Sequence, residues 1–120
     1  MGKMYDIILD KEKKILFVRA SGFFKEEDTK LYFSEFQTIV NTINPSIYKL
    51  IVDASEQEAV EPHVIIDIKF VLNLYSNASF KKLVIINSTF PDSKKQIDNC
   101  TKEMNFKCVF ASSVEEAYNL

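Results

Sequence analysis

The sequence predicts a single α/β domain built on a mixed, mostly parallel sheet. Short apolar runs of strand character alternate with stretches of helical periodicity, and the first two strand-like runs are separated only by a charged turn. The whole chain of 120 residues also contains only two glycines. Alternating strands and helices require parallel pairing through right-handed crossovers. So few glycines argue against collagen-like, glycine-loop nucleotide-binding and turn-dense all-β architectures, each of which places glycine where φ is positive.

The elements follow in order. Residues 5–9 and 15–20 are β-prone, and Asp10-Lys11-Glu12-Lys13-Lys14 between them reads as the turn of an antiparallel hairpin at one sheet edge. Gly22 breaks the second strand. From residue 26 to about residue 43, Tyr32, Phe33, Phe36, Ile39, Val40 and Ile43 recur at helical spacing. Asn44-Pro45 ends that helix, because a residue before proline is pushed out of α conformation. Leu50-Ile51-Val52 is the third strand, closed by Asp53-Ala54-Ser55.

Pro62 suits the first position of a helix, where its missing N–H costs nothing, and residues 64–75 carry the helix on. Leu83-Val84-Ile85-Ile86 is the fourth strand. Asp92 or Ser93 is the expected cap of a third helix, with Gln96 completing a Ser-x-x-Gln box. Residues 106–111 form the last strand, and Ser113-Val114-Glu115-Glu116 is a capping box that opens a short terminal helix. The predicted order is β-β-α-β-α-β-α-β-α. No repeat, linker or low-complexity tract divides it, so residues 1–120 are one domain.

Composition excludes several functions. An apolar content of 47% with 27% charged residues belongs to a globular chain. A net charge of −2 provides no basic face to displace counterions from phosphates, so no nucleic-acid partner is expected. The densest apolar stretch, residues 64–75, carries Asp67 and Lys69 and is too short to span a bilayer. No apolar leader follows Met1, and the expected location is cytoplasmic, with Cys100 and Cys108 as reduced thiols.

The element order resembles the SpoIIAA-like superfamily, which includes the STAS domains of anti-sigma-factor antagonists and sulfate transporters. The resemblance rests on Gly22-Phe23 after the hairpin, Tyr48-Lys49-Leu50-Ile51-Val52-Asp53, Lys81-Lys82-Leu83-Val84-Ile85, and Phe110-Ala111-Ser112-Ser113-Val114-Glu115-Glu116-Ala117. It implies a SpoIIAA-like fold and a bacterial-type regulator that acts by binding proteins. The STAS pattern also implies a phosphorylatable serine or threonine near the start of the helix after the third strand. Here that stretch reads Glu61-Pro62-His63-Val64, with an acid but no hydroxyl, so the family's phospho-switch has no counterpart.

Ligands of open parallel sheets gather outside the carboxyl ends of the strands. Asp53, Ser55, Glu61, His63, Ser88 and Thr89, with Asn87 and Ser112, fall at that edge as a polar rim. Such residues serve equally as helix caps and turn partners. His63 is the one histidine, and a hydrolase reading would pair it with Ser55, Ser88 or Cys100 as nucleophile. No nucleophile elbow or oxyanion glycine accompanies them, so no catalytic residue is assigned and the chain is not expected to be an enzyme. His63 and Asp67 are two ligands at i, i+4, too few for a metal site, and no metal or cofactor is expected.

The second helix carries two apolar stripes. Val64, Ile68, Val71, Leu72 and Tyr75 form the core face, whereas Ile66, Phe70 and Leu74 lie on another side at i, i+4, i+8. That second stripe suits either a partner surface or burial by neighbouring helices. The leading expectation is a non-enzymatic protein-interaction or regulatory module, with a protein partner or a second copy held through Ile66, Phe70 and Leu74. A carrier of a small apolar ligand or lipid is the first alternative, with Phe23, Phe24, Phe33 and Phe36 available to line a pocket. A small hydrolase using His63 is the second.

Overall fold

The computed structural model describes residues 5–22 and 26–120. Strands β1 (Tyr5–Asp10) and β2 (Ile15–Gly22) form the expected hairpin, with Ile8 opposite Phe17 and Asp6 opposite Arg19. Its turn is fastened by the Lys13 N–H, which donates to the Asp10 carboxylate at 3.0 Å. Helix α1 (Glu26–Val40) leads to a 3-10 turn at Pro45–Ile47 and then to β3 (Lys49–Gln57). A second 3-10 turn, Pro62–Val64, opens α2 (Ile65–Asn77), followed by β4 (Lys82–Ile86), α3 (Pro91–Glu103), β5 (Val109–Ala111) and α4 (Val114–Asn119).

The five strands lie in the order β1-β2-β3-β4-β5, with β1 antiparallel at one edge and the other neighbours parallel. This is the α/β sheet that the alternating pattern predicts.

The consecutive apolar residues of β3 and β4 are explained by cover on both faces. Leu16, Val18, Leu50 and Ile85 pack in one core with Tyr32, Phe36 and Val40 of α1, Leu72 and Tyr75 of α2, and Cys100 of α3. Ile15, Phe17, Ile51, Val84 and Ile86 point the other way and meet Ala111, Ala117 and Tyr118, so α4 covers the second face. Lys49 holds α4 there: its ammonium donates to the carbonyls of Ala117, Tyr118 and Leu120 at 3.1, 3.0 and 2.7 Å. A cation at a helix carboxyl end satisfies carbonyls that have no helical partner.

The scarcity of glycine has a structural counterpart. Three residues with positive φ, Lys14, Ser79 and Asn105, occupy positions where glycine is usual. Asn105 ends α3 in a Schellman motif, with Phe106 N–H donating to Thr101 O at 2.9 Å and Asn105 N–H to Lys102 O at 3.2 Å.

Some element boundaries differ from the sequence reading. α1 stops at Val40 rather than near Ile43, because the Asn44 side chain accepts from Ser46 N–H and starts the Pro45–Ile47 turn instead. β5 is confined to Val109–Ala111, and Phe106, where the sequence reading began the strand, belongs to the Schellman motif instead. β3 runs on to Gln57, five residues past Val52. Neither Asp92 nor Ser93 caps α3: Phe90 is the capping residue, Pro91 begins the helix, and Ser93 is buried inside it. Ser113 caps α4 as expected by accepting from Glu116 N–H, but the Glu116 carboxylate accepts from Ser112 rather than returning to Ser113.

Candidate functional site

The carboxyl edge of the parallel strands is built around β3. Between the pairs Arg19–Asp53 and Ser21–Glu56 the register shifts, because β3 carries one more residue than β2 in that interval. Such a bulge re-aims the strand that follows it. Asp53 is buried on the face opposite α1–α3, where one carboxylate oxygen accepts from Arg19 Nε at 3.2 Å and the other from Ser55 N–H at 3.0 Å. A carboxylate with two such donors is a fixed structural anion.

Ser88 is also buried. Its hydroxyl donates to Gln57 O at 2.8 Å and accepts from Phe90 N–H at 3.1 Å. Thr89 donates through both its N–H and its hydroxyl to Ser55 O, at 3.1 and 2.9 Å. These rim residues stitch the end of β4 to the end of β3. Glu61 and His63 stand apart from them, both exposed, with His63 Nδ1 3.4 Å from a Glu61 carboxylate oxygen. Cys100 is buried in the core, and burial pushes its thiol up. Among the described residues, no group of three or more His, Cys, Asp and Glu side chains is placed to hold a metal ion. Nor is any helix among them long and apolar enough to cross a membrane.

The two stripes of α2 have different surroundings. Val64, Leu72 and Tyr75 are buried, with Ile68 and Val71 packed against the same core. On the second stripe, Ile66 is 70% exposed and Phe70 52% exposed, while Leu74 is half-buried and packs against the core cluster. Phe33 of α1 lies against Phe70 with ring centroids 5.3 Å apart, which widens the apolar patch across both helices. The ion pair between Lys69 and Glu103 of α3 borders it.

Beneath α2 lies a feature that sequence periodicity did not signal, an apolar cavity of about 110 Å³. Val18, Val52 and Ile85 form its floor on the sheet, Tyr32 and Tyr75 one side, and Val60, Val64, Ile68 and Ile97 much of the rest. Phe33 and Phe36 are not among its walls: one lies tilted against Phe70 and the other is fully buried in the core. Phe23 and Phe24 lie outside the described residues.

Ala54 and Val52, two residues apart on β3, both line the cavity, and Ala54 presents only a methyl group to it. The segment after β3 is held across the gap by Gln96, whose side-chain amide donates to Val60 O at 2.8 Å and accepts from Val60 N–H at 2.9 Å. Gln96 thus does not close a capping box.

No family model and no curated protein matches the chain. Solved structures do. An uncharacterized protein of the DUF3478 family with a SpoIIAA-like fold, from Shewanella loihica PV-4, superposes with a TM-score of 0.69 at 16% identity, over 96% of this chain and 91% of that one. An anti-sigma factor antagonist from Mycobacterium paratuberculosis superposes with a TM-score of 0.67 at 12% identity, over 99% of this chain and 95% of the other. These likenesses span nearly the whole chain, so the protein has the SpoIIAA-like fold.

Proposed function

We propose that the chain is a non-enzymatic protein-interaction or regulatory module that docks a partner protein, or a second copy of itself, through the outer face of α2. One observation carries this reading: Ile66 and Phe70 stand 70% and 52% exposed one turn apart, on a helix whose core face is already filled. An apolar pair that a helix does not need for its own sheet contributes to stability only when something covers it. Phe33 and half-buried Leu74 extend the patch, and exposed Glu61 and His63 at the start of the helix supply polar specificity. A protein of the same fold is named as an anti-sigma factor antagonist, which supports a binding role in kind.

The rim residues Asp53, Ser88 and Thr89 have a different part in this reading. Their hydrogen bonds hold the strand ends that carry the helix. Size-exclusion light scattering of wild type and Phe70→Glu tests the self-association form: a dimer becomes a folded monomer on substitution. A photoreactive residue placed at position 66 in cells tests the other form, and one discrete protein adduct that disappears with Phe70→Glu is the expected result. A monomer that yields no discrete adduct sinks the proposal.

A further inference from the structure

We propose that the cavity beneath α2 is a binding site for one compact apolar molecule of about benzene size, neutral or carrying an amine. This goes beyond the docking reading and does not rest on it. The cavity measures about 110 Å³, and aliphatic side chains and two tyrosine rings make up most of its walls, with Thr29, Gln57 and Ser93 among the rest. A hollow of roughly 150 Å³ with aliphatic and aromatic walls stays dry and admits benzene.

The volume excludes a whole lipid and narrows the ligand to a single ring or a short branched chain. The location fits a binding role, because the cavity sits toward the carboxyl ends of the parallel strands, where ligands of open α/β sheets bind. Charge sets the remaining preference. Exposed Glu58 and part-exposed Asp67 are among its lining residues, whereas the guanidinium of Arg19 is turned to the other face of the sheet, against Asp53 and Phe17. An anionic congener meets two carboxylates there, whereas an amine is attracted to them.

The test is methyl-detected NMR titration of the intact chain with benzene, benzylamine and benzoate. Saturable shifts centred on the methyl groups that line the cavity, Val18, Val52, Val60, Ile68, Ile85 and Ile97 among them, are expected with benzene and benzylamine, and at least about tenfold weaker binding with benzoate. Ala54→Leu adds volume into the cavity and is expected to weaken benzene about tenfold or more while the protein remains folded. If Ala54→Leu does not fold, Ile97→Phe is the filling variant, and the pattern of shifting methyl groups in wild type still locates the ligand. Failure of benzene and benzylamine to bind, shifts centred elsewhere, or unchanged benzene affinity in a folded filled variant overturns the proposal. Benzoate binding as tightly as benzylamine overturns its charge preference. None of these results depends on whether α2 has a docking partner.

Discussion

Gln96 of α3 and the backbone of Val60 exchange two hydrogen bonds, one in each direction, at 2.8 and 2.9 Å. The amide side chain acts as a one-residue strand and fixes the segment between β3 and α2 over the apolar cavity. Gln96→Ala removes both bonds and leaves the Val60 N–H and C=O to find water in a partly buried place. A loss of about 1–3 kcal/mol is expected, read as a lower urea midpoint with an unchanged slope. Gln96→Glu keeps an acceptor for Val60 N–H but has no donor for Val60 O, so its loss is expected to be comparable. Full stability in Gln96→Ala would show that the contact is dispensable.

The pair Arg19–Asp53 provides a second test. Asp53 is 2% exposed and accepts from both Arg19 and the Ser55 N–H. Asp53→Ala removes both acceptors where β3 bulges, and a cost of about 2–4 kcal/mol is expected. Asp53→Asn retains an acceptor for Ser55 N–H and is expected to lose less. Chemical denaturation of the two variants checks the order, and an equal loss would show that the charge rather than the turn hydrogen bond dominates.

Much of the architecture was legible in the sequence because it follows from local rules. The charged turn between two β-prone runs, proline at the start of the second helix segment, and Ser113 as a cap each act within a few residues. The consecutive apolar residues Leu50-Ile51-Val52 ask for cover on both faces without saying what provides it, and α4 covers the second. What escaped depends on long-range partners. Gln96 looks like half of a capping box until Val60 is seen beside it, and Ser88 looks like a rim hydroxyl until Gln57 O and Phe90 N–H engage it. The cavity escaped because a gap beside Ala54 is a property of packing, with no periodic signature.

The two stripes of α2 predict opposite mutational costs. Leu72 is 5% exposed in the main core, and Leu72→Ala is expected to lose about 2–5 kcal/mol. Ile66 is 70% exposed, so Ile66→Ala is expected to change the stability of the isolated chain by no more than about 0.5 kcal/mol. Thermal or urea unfolding of both variants at low protein concentration checks the contrast. A large loss in monomeric Ile66→Ala would place that residue in the chain's own core.

The cysteines predict slow chemistry. Burial pushes the Cys108 thiol up to about 11, with a further rise from the nearby charge of Asp98, and burial also raises Cys100. The thiolate is the reactive form, so both side chains are expected to react with a disulfide reagent at pH 8 far more slowly in the native protein than in denaturant. A native rate at Cys100 equal to the denatured rate would contradict its burial in the core.

The tyrosines predict how the protein fails in alkali. Tyr32 and Tyr75 are joined by a hydrogen bond between their hydroxyls inside the core. Burial raises both pKa values well above the usual phenolic value; Tyr75 adds to the rise at Tyr32, while the hydrogen bond between the two hydroxyls moderates it at Tyr75. Tyr5, with its ring 5.2 Å from that of Tyr32, is pushed up to about 12 by burial and then by Glu35. Above pH ~10 the unfolded chain releases these protons while the native protein keeps them, so the unfolded state binds fewer protons and stability falls as pH rises. Below that pH their contribution is fully present. Each buried tyrosine contributes a slope of up to about 1.4 kcal/mol per pH unit between its unfolded and folded pKa values. Tyrosinate absorbance at 295 nm is therefore expected to rise cooperatively with loss of circular dichroism in the alkaline range. In Tyr75→Phe one titrating group is absent, so the fall in stability above pH ~10 is expected to be shallower even though the protein is weaker at neutral pH. A Tyr75→Phe variant with the wild-type alkaline slope would mean that this phenol ionises in the folded protein as freely as in the unfolded chain.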